Sequence, residues 1–291
     1  MLYRTNNMGI FPLIINGGDL VPDDNNNRYR YMFPSGSAYF RNAKIAVGNI
    51  SMYYSWFNIT STYGNNTFSF KWDGTLTVLH TVTLSDGFYD VAALNSYLQD
   101  YCVSNNLYLI NSDGDYVYYL EFVENPTYYS VQLNSYPIPT SLPSGWSAPG
   151  SWPGYPATAS TPQLVVASNA FRDIIGFNAG TYPTVAQTTT YSKISDYTPQ
   201  VSPVQSVVVL CSLLNNRYAN PDTVLYSFNP AGVSFGGLIS SVPSEAIYTP
   251  VQQGSYNEIT IEFIDQNFNA LKVNDTNLII TLLIDSGEDD F

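Results

Sequence analysis

Residues 42–60 read NAKIAVGNISMYYSWFNIT. Ile45 and Val47 share one face of an extended chain. Ile50, Met52, Tyr54 and Trp56 also share a face, but in the opposite phase. Side chains along a strand alternate with period two, so an odd spacing between two apolar sets turns one of them to solvent. The phase changes at Gly48-Asn49, where a β-bulge would bring both sets back to one core. A long strand corrected in this way belongs to a sheet packed against another layer.

The chain beyond it repeats the theme. Thr67–Trp72 and Leu76–Leu84 flank an Asp73-Gly74 turn and predict a hairpin. Tyr116–Val123 and Tyr128–Leu133 predict two strands joined at Asn125-Pro126. Val207–Leu214 is apolar except for Ser212, as expected of a central strand buried on both faces. Ile259, Ile261 and Phe263 alternate with Thr260 and Glu262, and Leu278–Ile284 predicts a last strand. One helix is expected at 91–103, where Val91, Leu94, Leu98 and Tyr101 recur at helical spacing behind an Asp90 cap. Roughly eight to ten strands with polar turns predict an all-β chain. A single jelly-roll β-sandwich with long loop insertions and one or two short helices is the simplest arrangement that hides the sheet edges.

Residues 1–27 read as an N-terminal arm, an apolar patch at Ile10–Ile15 followed by the turn-forming GGDLVPDDNNN. The jelly roll is assigned to 28–285 and an acidic tail to 286–291. Residues 136–162 are rich in Pro, Ser and Gly, carry no charge and lack strand patterning. They read as a loop insertion, and deleting 140–160 is expected to leave the fold intact. Connections of this length are often functional. Its two tryptophans, Trp146 and Trp152, are the candidate exposed residues for a partner or a receptor. They either bind a sugar ring or a partner groove, or pin the loop to its own domain.

Composition narrows the function. Charged residues make up 11% of the 291, against about 25% in an average soluble domain, and Tyr alone numbers 25. Low charge with abundant Tyr suggests a surface that meets other protein. The net charge of −13 opposes a phosphate backbone, so no direct nucleic-acid contact is expected. The apolar runs are too short to span a membrane, and the start of the chain lacks the pattern of a secretory signal. The sequons at Asn49, Asn58, Asn65 and Asn274 are accordingly read as unused.

Little in the sequence speaks for chemistry. His80 is the one histidine and sits in a predicted strand. Cys102 and Cys211 lie in a predicted helix and an apolar run, where a thiolate is disfavoured. Asn111, Asp113 and Asp115 imitate the start of a calcium loop, but Tyr116 replaces the required Gly and the closing Glu is missing. Asp19, Asp23 and Asp24 read as a solvated stretch of the arm. Hence no catalytic, cofactor-binding or metal residue is assigned, and the chain reads as a non-enzyme.

Five stretches carry a family resemblance: NAKIAVGNISMYYSWFNIT (42–60), GFYDVAALNSYLQ (87–99), FRDIIGFNAGTYP (171–183), LLNNRYANPDTVLYSFNP (213–230) and NEITIEFIDQNFNALKVNDTNLIITLLI (257–284). Their order and spacing resemble the penton, or minor capsid, proteins of virophages and the related Polinton/Maverick elements. The resemblance implies a single jelly roll and a homopentamer at each capsid vertex, with contacts to a double-jelly-roll major capsid protein. It also implies assembly inside the host cell, a place in the virion, and no catalytic residues to carry over. The alternative is a carbohydrate- or receptor-binding β-sandwich of lectin or fibre-head type. Binding of a host receptor is compatible with either.

Overall fold

The computed structural model describes residues 9–73, 78–201 and 204–286. The Asp73-Gly74 turn falls partly outside these residues, as does most of the acidic tail. The chain forms two compact units, 1–56 together with 204–291, and 57–203.

Eight of the eleven described strands of the first unit build its two main sheets; the other three, Ala38–Phe40, Thr249–Pro250 and Gly254–Tyr256, are short. In chain order the eight are β1 (Ile10–Asn16), β2 (Arg28–Met32), β3 (Lys44–Tyr53), β4 (Val207–Cys211), β5 (Val224–Phe228), β6 (Leu238–Ser241), β7 (Glu258–Asp265) and β8 (Ile279–Asp285). β1 pairs with β8, β2 with β7, β3 with β6 and β4 with β5, all antiparallel. The pairs are nested, as in one long hairpin rolled over on itself. Two further pairs, β8 with β3 and β4 with β7, divide the roll into sheets of order β1-β8-β3-β6 and β5-β4-β7-β2. This is a jelly roll, as the sequence predicts.

Its core follows the alternation. Ile45, Val47, Ile50 and Met52 of β3 and Ile280, Leu282 and Ile284 of β8 are buried in the first sheet. Val207, Val209 and Cys211 of β4, Ile259, Ile261 and Phe263 of β7, and Tyr29 of β2 are buried in the second. Each Val, Leu or Ile removed from water contributes about 1.5–3 kcal/mol before conformational entropy is subtracted. The bulge is where the phase change places it. Leu282 pairs with Val47 and Thr281 with Asn49, so Gly48 is the extra residue. A Cβ at Gly48 would sit 3.1 Å from Leu283 Cγ and 3.3 Å from the Thr281 carbonyl oxygen, which favours glycine there.

A pair of deletions tests this register. Removing Gly48 leaves uninterrupted alternation, with Ile45, Val47, Ile50 and Met52 all inward, so this variant is expected to fold within about 1 kcal/mol of the parent. Removing Ala46 forces either Ile45 or Val47 outward and is expected to cost several kcal/mol, roughly one core side chain plus the void it leaves. Urea unfolding of the two variants measures the difference; equal stabilities would rule out the assigned bulge.

Two expectations change. Residues 10–16 are not an arm: they form β1, an edge strand of the chain's own sheet, with Ile15 buried opposite Ile280. The interruption of the jelly roll is also far larger than 136–162. The whole of 57–203, between β3 and β4, is a compact unit with a core of its own. Local patterning hides this, because strands that pair within the insertion look like strands that pair across it.

In the insertion, Thr67–Lys71 pairs with Leu79–Thr83 as the predicted hairpin and with Gln163–Val166 on its other side. Leu120–Asn125, Ser130–Ser135 and Tyr191–Ile194 make a second sheet. Helix α1 (Val91–Ser104) is capped by the Asp90 carboxylate, which accepts a 2.7 Å bond from the Ala93 N–H. It buries Val91, Leu94, Leu98 and Cys102 against Phe70, Phe122 and their neighbours. The short helix α2 (Phe171–Ile175) lays Phe171 on Phe68, ring centroids 4.9 Å apart. One buried side chain clasps both ends of the unit. Asn58 Nδ2 donates to the Tyr89 carbonyl at 2.7 Å and the Val201 carbonyl at 2.6 Å, and Asn58 Oδ1 accepts from the Tyr89 N–H at 2.8 Å.

Candidate interaction surface

The residues scanned for chemistry are held in structural roles. His80 stacks on Phe70 at 5.2 Å, and burial lowers its pKa. The thiols of Cys102 and Cys211 are free and buried, and burial pushes each up to about 12. Asn111 Oδ1 accepts from the Asp113 and Asp115 N–H groups, so this segment closes a turn between the short strands Leu109–Ile110 and Tyr116–Val117. Asp19 caps the turn at 17–19 by accepting from the Asn16 N–H, and Asp23 accepts from the N–H groups of Asn25 and Asn26. Among the described residues no group of three or more His, Cys, Asp or Glu could hold a metal ion. No described helix is long and apolar enough to cross a membrane.

Trp146 and Trp152 both pack, partly buried, against the core of the insertion. Trp152 meets Trp72 edge to face at 5.6 Å and lies 5.7 Å from Tyr155. Their loop is tied down further by bridges from Ser147 to Ile110 and from Ser160 to Ile138. Of the two roles open to them from sequence, the geometry displays the pinning one. Residues 136–162 therefore cover part of a core, which a dispensable loop would not do.

One exposed apolar patch lies on the outer face of the first jelly-roll sheet. With Ile15, Ile280, Leu282 and Ile50 turned inward, alternation turns Ile10, Pro12, Ile14, Ile279 and Leu283 outward. Ile10 is 57% exposed, Ile14 55% and Ile279 49%. Across the sheet, Tyr53 of β3 pairs with Leu238 of β6, which is 52% exposed. The charged side chains on this face, Lys44 and Asp285, stand opposite each other at one end. Polar Thr281 and Ser51 stand beside these apolar side chains on the same face, and an exposed patch rimmed by polar residues is the kind of surface that meets another protein.

The second sheet presents the contrary face. Arg28 and Arg30 of β2 reach Glu262 and Glu258 of β7 at 3.8 and 3.5 Å. Such exposed pairs are worth about 0–1 kcal/mol each, so they solvate the face more than they hold it. Sequence reasoning missed the apolar face because IFPLII was read as an arm. The available signal was that this segment is apolar at odd and even positions alike, as in a strand covered on both sides.

No family model and no curated protein matches the sequence. Two solved structures are similar to this chain along nearly its whole length. The mavirus penton protein is 10% identical with a TM-score of 0.46, covering 95% of this chain and 98% of that one. A chain of the Sputnik virophage, from an electron cryomicroscopy structure, is 10% identical with a TM-score of 0.38, covering 94% and 98%.

Proposed function

We propose that this chain is a structural capsid subunit, five copies of which form the vertex of an icosahedral particle and contact a double-jelly-roll major capsid protein. The observation that carries the reading is the nested eight-stranded jelly roll with one outer sheet face that exposes apolar side chains and carries only Lys44 and Asp285 as charges, facing each other at one end. A chain of net charge −13 repels its own copies, and such a face is where the repulsion is weakest. A ring requires a heterologous interface that closes, the apolar face of one copy meeting a different surface of the next. The segment resemblance at 42–60, 87–99, 171–183, 213–230 and 257–284 points the same way. On this reading the chain is no enzyme, assembles inside the host cell and resides in the virion. It takes no cofactor and contacts no nucleic acid directly.

Light scattering coupled to size exclusion tests the proposal. The expected result is a pentamer, alone or once the major capsid protein is added. A stable trimer, or a monomer that persists with that protein present, overturns it. Replacing Ile14 and Ile279 together by Lys places two charges on the outer face without touching the core. The double variant is expected to melt within a few degrees of the parent and to lose at least tenfold in association, as expected of interface anchors worth above about 1.4 kcal/mol together.

A further inference from the structure

We propose that the insertion carries a binding site for one ring of a neutral glycan, at the tip of the hairpin formed by Leu120–Asn125 and Ser130–Ser135. A groove of about 230 Å³ lies there, lined by Tyr129, Ser130, Asn125 and Glu124 together with Val91 and Pro199 among the apolar residues. It is smaller than the ~300–1,000 Å³ typical of drug-sized ligands, which suits a single ring. The proposal does not rest on the capsid reading.

Two independent features, at Tyr129 and at Ser130, point to a hydroxylated ligand. Tyr129 is 80% exposed and has left-handed backbone angles, φ 48° and ψ 48°. Bulky side chains rarely adopt that conformation, and strain of this kind collects at functional sites. It holds an aromatic face at the rim, where a sugar's C–H face can stack. Ser130 lines the groove, yet its Oγ is buried without a hydrogen-bond partner. A rotation about χ1 would offer that hydroxyl to a ligand without breaking a bond within the protein. The same sheet face then continues as a fixed row of amides and hydroxyls. Asn125 Nδ2 donates to Gln132 Oε1, Gln132 Nε2 to Asn134 Oδ1 and Ser192 Oγ, and Asn134 Nδ2 to Glu121. Tyr136 closes the row on Glu121. Of this row Asn125 lines the groove, and its bond to Gln132 holds its side chain in a fixed orientation there.

Charge selects among ligands. Glu124 is the one ionisable carboxylate lining the groove, and no Lys or Arg joins it. A carboxylate accepts from ligand hydroxyls and repels acids, so neutral sugars are taken and sialylated or sulfated ones refused.

Saturation-transfer NMR on the full chain, with the methyl glycosides of glucose, galactose, mannose and N-acetylglucosamine, tests the site. At least one glycoside is expected to bind. Tyr129→Gly should weaken it tenfold or more while the melting temperature stays level or rises, because glycine accepts the positive φ without strain. Ser130→Ala should weaken it several-fold. The proposal is overturned if no glycoside responds, if Tyr129→Gly binds as the parent does, if only sialylated ligands bind, or if a proline-rich peptide fills the groove instead.

Discussion

Leu282→Asp is expected to leave no folded jelly roll. Leu282 is fully buried in β8, between Leu13 of β1 and Val47 of β3. Losing the leucine costs about 2–5 kcal/mol in burial and cavity. A carboxylate without a partner in that layer costs several kcal/mol more. The sum approaches or exceeds the ~5–15 kcal/mol by which a domain is stable at all. Leu283→Asp is the control, since residue 283 points out of the same strand. It is expected to fold and to lose no more than about 2 kcal/mol, in the range of ordinary surface-side changes. Near-ultraviolet circular dichroism and solubility read both variants. A soluble Leu282→Asp protein that unfolds cooperatively would refute the inward placement.

How much of this was legible in the sequence varies by the range of the interaction. Local rules carried well. The bulge at Gly48 follows from the phase of Ile45 and Val47 against Ile50 and Met52, and α1 follows from its spacing and the Asp90 cap. The jelly roll followed from strand number and turn spacing, because few architectures hide so many edges. Nesting was not legible. Nothing local in Thr67–Lys71 says that it pairs inside an insertion while Lys44–Tyr53 waits for partners beyond residue 203. The insertion therefore read as the proline-rich stretch alone, although its true bounds enclose α1, α2 and three sheets among the described residues.

The candidate surface shows the same divide. A tryptophan in a charge-free loop is conspicuous by composition, yet burial decides its role, and Trp152 rests on Trp72. Ile10 and Ile14 were visible as an apolar patch. Their meaning depended on β8, which lies some 270 residues away in the chain and turns them from an arm into the edge of a sheet. Asn58 drew notice only as a sequon, because a side chain that bonds residues 31 and 143 positions away leaves no local signature.

Asn58→Ala is expected to open the insertion while sparing the jelly roll. The side chain is 1% exposed and makes three hydrogen bonds, two to Tyr89 and one to Val201. Alanine leaves one N–H and two carbonyls without that partner, at about 1–3 kcal/mol for each group that stays buried. A loss of about 4 kcal/mol in the insertion follows, with water entering at Val201 as the first relief. Asn58→Asp discriminates the cause. Its carboxylate can still accept from the Tyr89 N–H but turns an acceptor toward both carbonyls, so it should be as damaging as alanine or worse, although its volume is conserved. Limited proteolysis followed by mass spectrometry reads the outcome. Both variants should be cut early within 57–203, while a fragment carrying β4 to β8 stays protected. Equal protection of the two units in Asn58→Ala would show that the clasp is not what holds the insertion shut.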